Sequence, residues 1–193
     1  MTSPAEEAFL SISTTCVGCG PGGSTPMLAR VAICDYRGQT VYDTFVQPTR
    51  DVTDYRTNTT GIGAANLDKG NGARAFKDVQ EAVRDLLLNK IIVGHSLWND
   101  LLVLGIPHPA IATRDVALYQ PFRNDLPNQS IGLQTLMWQL MRRRVQERTV
   151  DALENARATI DLYRSRATEW ESAVSKGKWE CQLPPSKFSR YYS

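Results

Sequence analysis

The stretch that most limits the fold is KIIVGHS, residues 90–96. Its centre is a short apolar run, flanked by segments with helical spacing. A strand that is apolar on successive positions has to be covered on both faces, which calls for a sheet with helices on either side. The rest of the chain fits that demand. AFLSISTT (8–15) has the apolar and β-branched character of a strand, CGPGGS (19–24) of a turn, and MLARVAICDY (27–36) of a second strand. RGQ then makes a hairpin turn into a third strand, TVYDTFVQP (40–48). Residues 49–73 are rich in loop-forming residues. ARAFKDVQEAVRDLLLN (73–89) spaces Phe76, Val79, Val83, Leu86 and Leu87 as a helix does. LWNDLLVLG predicts a helix, AIATRDVALY a further short strand, and the segments 130–144 and 151–174 two more helices. Three strands followed by alternating helix and strand predict an α/β fold. Its central β-sheet is mixed, an antiparallel meander followed by parallel strands, and is flanked by helices.

A chain of 193 residues, 42% hydrophobic and 22% charged, is one domain with a sizeable core. We expect it to span 1–176, followed by an aromatic-rich tail, 177–193, with Trp179, Phe188, Tyr191 and Tyr192. Docking of that tail on the domain is expected, because exposed aromatic patches are disfavoured. A formal net charge of +2 does not by itself indicate a nucleic-acid partner. No stretch approaches the ~20 apolar residues of a membrane span. MTSPAEEAF lacks the basic start of a secretory signal. An intracellular protein with no membrane partner is expected. CVGC (16–19) is at most half a zinc site, since Cys34 lies in an apolar strand and Cys181 in the tail. The cysteines are expected as reduced thiols packed like small apolar side chains.

Four stretches carry a resemblance: LARVAICDYRGQTVYDTFVQPTRDVTDYRTNTTGI, IIVGHSLWNDLLVL, HPAIATRDVALYQPFR and VQERTVDALENARATIDLYRSRATEWE. In that order and spacing they resemble the DEDDh 3′–5′ exonucleases, in the branch of RNA exonuclease 4 and the interferon-stimulated exonuclease. The resemblance runs from about residue 8 to residue 175 and implies a ribonuclease H-like exonuclease fold. In this family the first strand reads like YVAIDCEMVGVGPGG. Set against FLSISTTCVGCGPGG without a gap, its two carboxylate positions fall on Ser13 and Thr15. The family's IQEGEHSSVEDARA set against VQERTVDALENARA puts the general-base histidine on Val150 and the last metal-binding aspartate on Asn155. Asp100 in GHSLWND keeps its carboxylate.

The chemistry implied by the resemblance holds two divalent ions that clamp the scissile phosphate. Hard cations need carboxylate oxygens, and four of the five positions lack the family residue. The neighbours Asp151 and Glu154 point about 100° away from Val150 and Asn155 on a helix, and Asp35 and Asp43 are expected at strand ends facing solvent. No cofactor and no divalent metal are therefore expected. The function expected on these grounds is a non-catalytic module binding RNA or a protein partner. The alternative is a metal-independent enzyme using Asp100 and His95 for acid/base chemistry on a small organic molecule, and the third class is a weak residual 3′–5′ exoribonuclease. Arg56 in VTDYRT, with Trp98 and Asn99 beside Asp100, are the candidate binding residues. Arg56 is expected to brace its loop through Asp54 or a backbone carbonyl. MRRR (141–144) with Arg148 is the densest basic run: a solvated helix end, or a phosphate contact. The family leans nuclear or nucleolar; a cytoplasmic location is the other possibility for an intracellular chain.

Overall fold

The computed structural model describes residues 4–126 and 131–192. Ser130, the first residue of the helix expected over 130–144, lies outside the described residues, as do residues 1–3 and Ser193 at the ends of the two expected segments. Six strands form one mixed sheet: β1 (Phe9–Cys19), β2 (Thr25–Asp35), β3 (Thr40–Phe45), β4 (Val52–Asp54), β5 (Ile91–Gly94) and β6 (Thr113–Asp115). The order is β3-β2-β1-β5-β6, with β4 pairing the far end of β1. β1, β2 and β3 are antiparallel neighbours, whereas β5 runs parallel to both β1 and β6. The helices are α1 (Thr57–Thr60), α2 (Phe76–Leu87), α3 (Leu97–Leu104), α4 (Gln120–Asp125), α5 (Leu133–Met141), α6 (Ala152–Ser165) and α7 (Ala167–Ser175). The mixed sheet flanked by helices is the architecture expected from the sequence.

Period-two alternation along β1 explains the layers. Phe9 joins Leu136, Met137, Ile160, Tyr163 and Trp170 on the side covered by α5, α6 and α7. Leu10 and Ile12 point the other way, into Val79, Val83 and Leu87 of α2 and Leu97, Leu101 and Leu104 of α3. β5 contributes to both cores, Val93 to the first and Ile92 to the second, which is why it is apolar throughout.

Several boundaries differ from the sequence reading. β1 runs on through CVGC to Cys19, past an irregularity in its pairing with β2 between Thr15 and Cys16. β4 lies in the segment read as loop. The helix expected over 151–174 is two helices, broken at Arg166, and the break lets Trp170 stack on Tyr119 with ring centroids 3.7 Å apart. Gly18 has a packing reason: a Cβ there would fall 2.5 Å from the carbonyl oxygen of Gly23, whose own φ is +68°. The segment after α7 runs back over the domain. Gln120 N–H donates to Glu180 O, Gln182 N–H to Leu118 O and His108 N–H to Tyr191 O, and Phe188 is buried. All four cysteines are free thiols, and burial pushes that of Cys16 up to about 12. No helix among the described residues is long and apolar enough to cross a membrane.

One buried ion pair ties the last helices to the sheet. Arg114 of β6 donates from Nε and Nη2 to the two carboxylate oxygens of Glu171, at 2.6 and 2.9 Å, and Tyr163 Oη adds a third bond to Oε1 at 2.9 Å. Both charged residues are buried. Removing one partner would leave an uncompensated charge, which costs about 3–5 kcal/mol. We predict that Glu171→Ala lowers the melting temperature by roughly 10 °C, as a thermal unfolding scan followed by circular dichroism would measure. A melt unchanged within a degree or two would mean that the pair is dispensable.

Candidate functional site

The site forms where β1 loses a neighbour. β5 pairs with β1 only at Phe9, Leu10 and Ser11, so the next N–H groups on that edge lack a strand partner. Asp100, in the first turn of α3, takes one of them. Its Oδ1 accepts from Thr14 N–H at 2.8 Å and from Thr14 Oγ1 at 2.6 Å. A crevice beyond the carboxyl ends of parallel strands, next to the point where the sheet changes direction, is where α/β folds bind ligands.

Asp115 positions this corner. The carboxylate accepts from Ser96 N–H at 2.9 Å, Leu97 N–H at 2.7 Å and Ala117 N–H at 2.9 Å. It thereby satisfies the start of α3 and holds Ser96, at φ +59°, in the left-handed region. His95, in the same turn, bonds Ile131 O through Nε2 at 2.6 Å. Burial raises the Asp115 pKa, while the nearby imidazole and the three N–H donors oppose the rise. Sequence reasoning missed Asp115 because two of its three partners, Ser96 and Leu97, are 19 and 18 residues away in the chain. It also missed Thr14.

The other wall is α6. Asp151 caps it, accepting from Glu154 N–H at 2.8 Å. The pattern Asp151-Ala-Leu-Glu154 is a capping signature legible in the sequence. Ser11 Oγ donates to Ala156 O at 2.8 Å, so the alternate residues Ser13 and Thr15 lie on the face that α6 covers. Asn155, at the same end of α6, accepts through Oδ1 from Gln146 Nε2 at 2.8 Å. Val150 N–H donates to Thr59 O at 2.7 Å. Thr15 Oγ1 is buried without a hydrogen-bond partner. Burial raises the Asp151 carboxyl, but the Glu154 N–H and the Arg30 guanidinium outweigh it and hold it below the usual range. Arg30 bridges Asp151 at 2.5 Å and Asp43 at 2.8 Å. Asp43 thus faces a cation rather than solvent alone, and Asp35 is used by the hairpin, accepting from Arg37 N–H and Gln39 N–H.

Arg56 braces its loop: its N–H donates to Asp54 Oδ1 at 2.8 Å and its Nη2 to Gly23 O at 3.0 Å. Trp98 is half-buried, with its ring 6.4 Å from that of Phe188, and Asn99 is exposed. The structure therefore places Ser13 and Thr15 on the face of β1 that α6 covers, with Asn155 on that helix, and fixes Asp100 to the β1 edge through Thr14, the residue between Ser13 and Thr15. Arg56 and Trp98 are engaged by the glycine-rich turn and by the tail.

The two-ion chemistry implied by the resemblance can be tested against these donors. Among the described residues no group of three or more His, Cys, Asp or Glu side chains is arranged to hold a metal ion. Asp100 has one oxygen occupied by Thr14, Asn155 is neutral and bonded, and the buried orphan at Thr15 is a hydroxyl. These donors do not fit a pair of hard divalent ions. What they offer is neutral hydroxyls and an amide, with one buried carboxyl held by Thr14. Burial pushes Asp100 up to about 7, opposed by its two bonds from Thr14.

No protein-family model matches the chain. Among curated proteins it is similar to RNA exonuclease 4 of Cryptococcus neoformans, 40% identical over 166 residues, covering 86% of this chain and 40% of the relative. It is 38% identical over 173 residues to human RNA exonuclease 4, again covering 86% and 40%. The chain thus spans about 40% of the length of these relatives. Among solved structures, the Neurospora crassa Pan2 catalytic unit superposes with a TM-score of 0.73 at 21% identity, covering all of this chain and 30% of that one. A Saccharomyces cerevisiae Pan2 exonuclease module in complex with AAUUAA RNA gives 0.72 at 25% identity, over 90% of this chain and 31% of that one.

These relatives overturn the expectation of a non-catalytic RNA- or protein-binding module, and with it the alternative of small-molecule chemistry. The curated relatives are named as RNA exonucleases, so the class placed last is the one they point to. The physical reason for the error is that four side chains were allowed to decide what the cleft receives. The framework that builds the cleft, from the β1 edge to the Asp115 turn, is set by other residues.

Asp100 has a measurable signature. An acid whose pKa is raised from 3.8 unfolded to about 7 folded binds its proton more tightly in the folded state. Its stabilising share is intact below about pH 4 and is lost as pH rises through 7. Asp100→Asn keeps an acceptor for Thr14 without that penalty. We predict that the variant is more stable than the parent at pH 8, by an amount on the order of a few kcal/mol, and that the gap closes toward pH 4. Urea unfolding at both pH values measures it; a gap independent of pH would mean that Asp100 is not shifted.

Proposed function

We propose that the chain, which is similar to RNA exonuclease 4 over most of its own length, is a DEDD-type exonuclease that acts on RNA as an exoribonuclease, taking the 3′ end of a single strand into the corner formed by β1, α3 and α6. The observation that carries this reading is the 40% identity over 166 residues to a protein named RNA exonuclease 4. The RNA-bound Pan2 neighbour supports RNA as the ligand.

The residues of the cleft support recognition of a phosphodiester in a specific way. A cluster of carboxylates repels phosphate unless cations screen it. The hydroxyls of Ser13 and Thr15 impose no such repulsion, and the half-buried Ser13 can donate to a phosphate oxygen. Asp100 is the titratable group of this corner. With Oδ1 held by Thr14, its Oδ2 is the atom left to hold or release a proton beside a bound strand. The donor set does not fit two divalent ions, so these side chains orient the strand and bind a proton.

The test is a degradation assay on 5′-labelled single-stranded RNA, with Mg²⁺ or Mn²⁺ present. The expected result is progressive shortening from the 3′ end, reduced at least tenfold in Asp100→Ala. Bound RNA that stays full-length in both ions would remove the hydrolytic part of the proposal. RNA that neither binds nor shortens would remove the whole of it.

A further inference from the structure

The arginine run between α5 and α6 has no part in the reading above. We propose that it forms, with the exposed Trp138 on α5, a track along which single-stranded RNA passes on leaving the cleft. This rests on the RNA reading of the cleft and extends it outward.

The loop is a wall of the cleft. Gln146 in its middle donates from Nε2 to Asn155 Oδ1 at 2.8 Å and from its N–H to Glu154 Oε2 at 2.8 Å. At its end Val150 N–H donates to Thr59 O. A strand whose end lies beside Asn155 therefore meets residues 142–149 as soon as it leaves. Arg142, at φ +53°, ends α5 in the left-handed conformation, and Gln146, at φ +57°, turns the chain again. Arg143 and Arg144 lie between these two turns, and Arg148 follows the second, before the bond of Val150 to Thr59.

The loop is strongly one-signed. Residues 142–148 contain four arginines and one glutamate in a chain whose formal net charge is +2. Arg143 is held by Asp161 at 2.5 Å. Arg144 lies 3.6 Å from Glu147 with both side chains largely exposed, a pair worth little. Among the described residues neither Arg142 nor Arg148 is in an ion pair, and both are exposed. A solvated helix end would account for the arginines alone, but it does not account for Trp138. That indole is 42% exposed on the same face, with the Arg144 guanidinium 5.3 Å from its ring centroid. Aromatic faces on which bases stack, beside cations that meet phosphates, are how proteins hold single-stranded nucleic acid without reading its sequence. An exposed indole with a weakly paired arginine at its ring, in a segment that also carries Arg142 and Arg148, favours RNA as the occupant.

The experiment compares the full chain with Arg142→Gln/Arg144→Gln/Arg148→Gln, with Trp138→Ala, and with Lys69→Gln/Lys77→Gln/Arg84→Gln, which removes equal charge from the α2 side. Anisotropy of labelled single-stranded RNA is followed across a salt series, using oligonucleotides of about 4 and about 16 nucleotides, the span of single-strand site sizes. For the longer RNA the arginine variant is expected to bind at least tenfold more weakly at ~0.1 M salt. Its plot of log affinity against log salt should flatten by about 2, as for three lost phosphate contacts. Trp138→Ala is expected to lose about fivefold to a hundredfold at every salt concentration. The short RNA should bind all proteins alike, and the α2-side variant should behave as the parent. If both loop variants bind the long RNA with the parent's affinity and slope, the track is refuted while the RNA reading of the cleft stands. If the α2-side variant loses as much as the arginine variant, the effect is overall charge and the track is refuted as well. If the parent binds neither RNA, the reading of the cleft fails and the track with it.

Discussion

The buried carboxylate of Asp115 holds together the corner on which the cleft depends. Three backbone N–H groups converge on it, two from the turn between β5 and α3 and one from the chain leaving β6. Without that acceptor, Ser96 N–H and Leu97 N–H would be buried donors at a helix start, each costing a substantial part of a hydrogen bond. The left-handed Ser96 would also lose the contact that makes its conformation worthwhile. Since α3 begins at this point, the direction of its first turn, and hence the place of Asp100, follows from the position of a carboxylate on another strand. Asp100 then completes the edge of β1 where β5 has stopped. The two acids have different partners. Asp115 bonds only backbone and is structural, whereas Asp100 keeps one oxygen free.

That difference decides how the pocket meets an anion. Asp115 is buried, which raises its pKa, and three backbone N–H donors satisfy its oxygens. Asp100 is pushed toward neutrality by burial. The hydroxyls of Ser13 and Thr15 add no charge, and Asp151 is tied to Arg30. The corner proposed to receive a phosphate therefore carries less negative charge than the carboxylates near it would suggest.

How much of this was legible follows from the range of each interaction. The sheet and its layers were legible because β1, β5 and α2 carry their burial pattern locally, in periods of two and of 3.6. β4 was not, since only Val52 of its three residues is even partly buried and no period shows in so short a stretch. The break at Arg166 has no glycine or proline to announce it; it is imposed by packing, Trp170 against Tyr119 and Glu171 against Arg114. The Asp151–Glu154 cap was legible, because capping is a contact over three residues. Asp115 was not, because two of its three partners belong to another turn. At the site, the gapless register picked out Ser13 and Thr15 on β1 and Asp100 on α3, and the structure joins Asp100 to β1 through Thr14 between them. The register misjudged what that implied, because ligand identity is carried by the whole surface around those positions.

This last point bears on how a strand would be held at all. In a cleft with metal ions, much of the attraction for the backbone sits at one point, on the scissile phosphate. A corner whose donors do not fit such ions offers only hydrogen bonds there, and single hydrogen bonds exchanged against water contribute about 1 kcal/mol each. Affinity for a polyanion then has to come from charges spread along its path, each releasing a counterion. The chain has such charges in one concentrated place, the 142–148 loop. That loop is fastened to Asn155, one of the positions where the family carries a carboxylate. The geometry that leaves the pocket weakly charged thus sits directly against the segment most able to compensate for it, through the single bond from Gln146 Nε2 to Asn155 Oδ1. An aspartate at 155 could accept the same bond, but it would put a negative charge against the arginine loop. The amide keeps the link and leaves the positive field of the loop undiminished where a strand would leave the cleft.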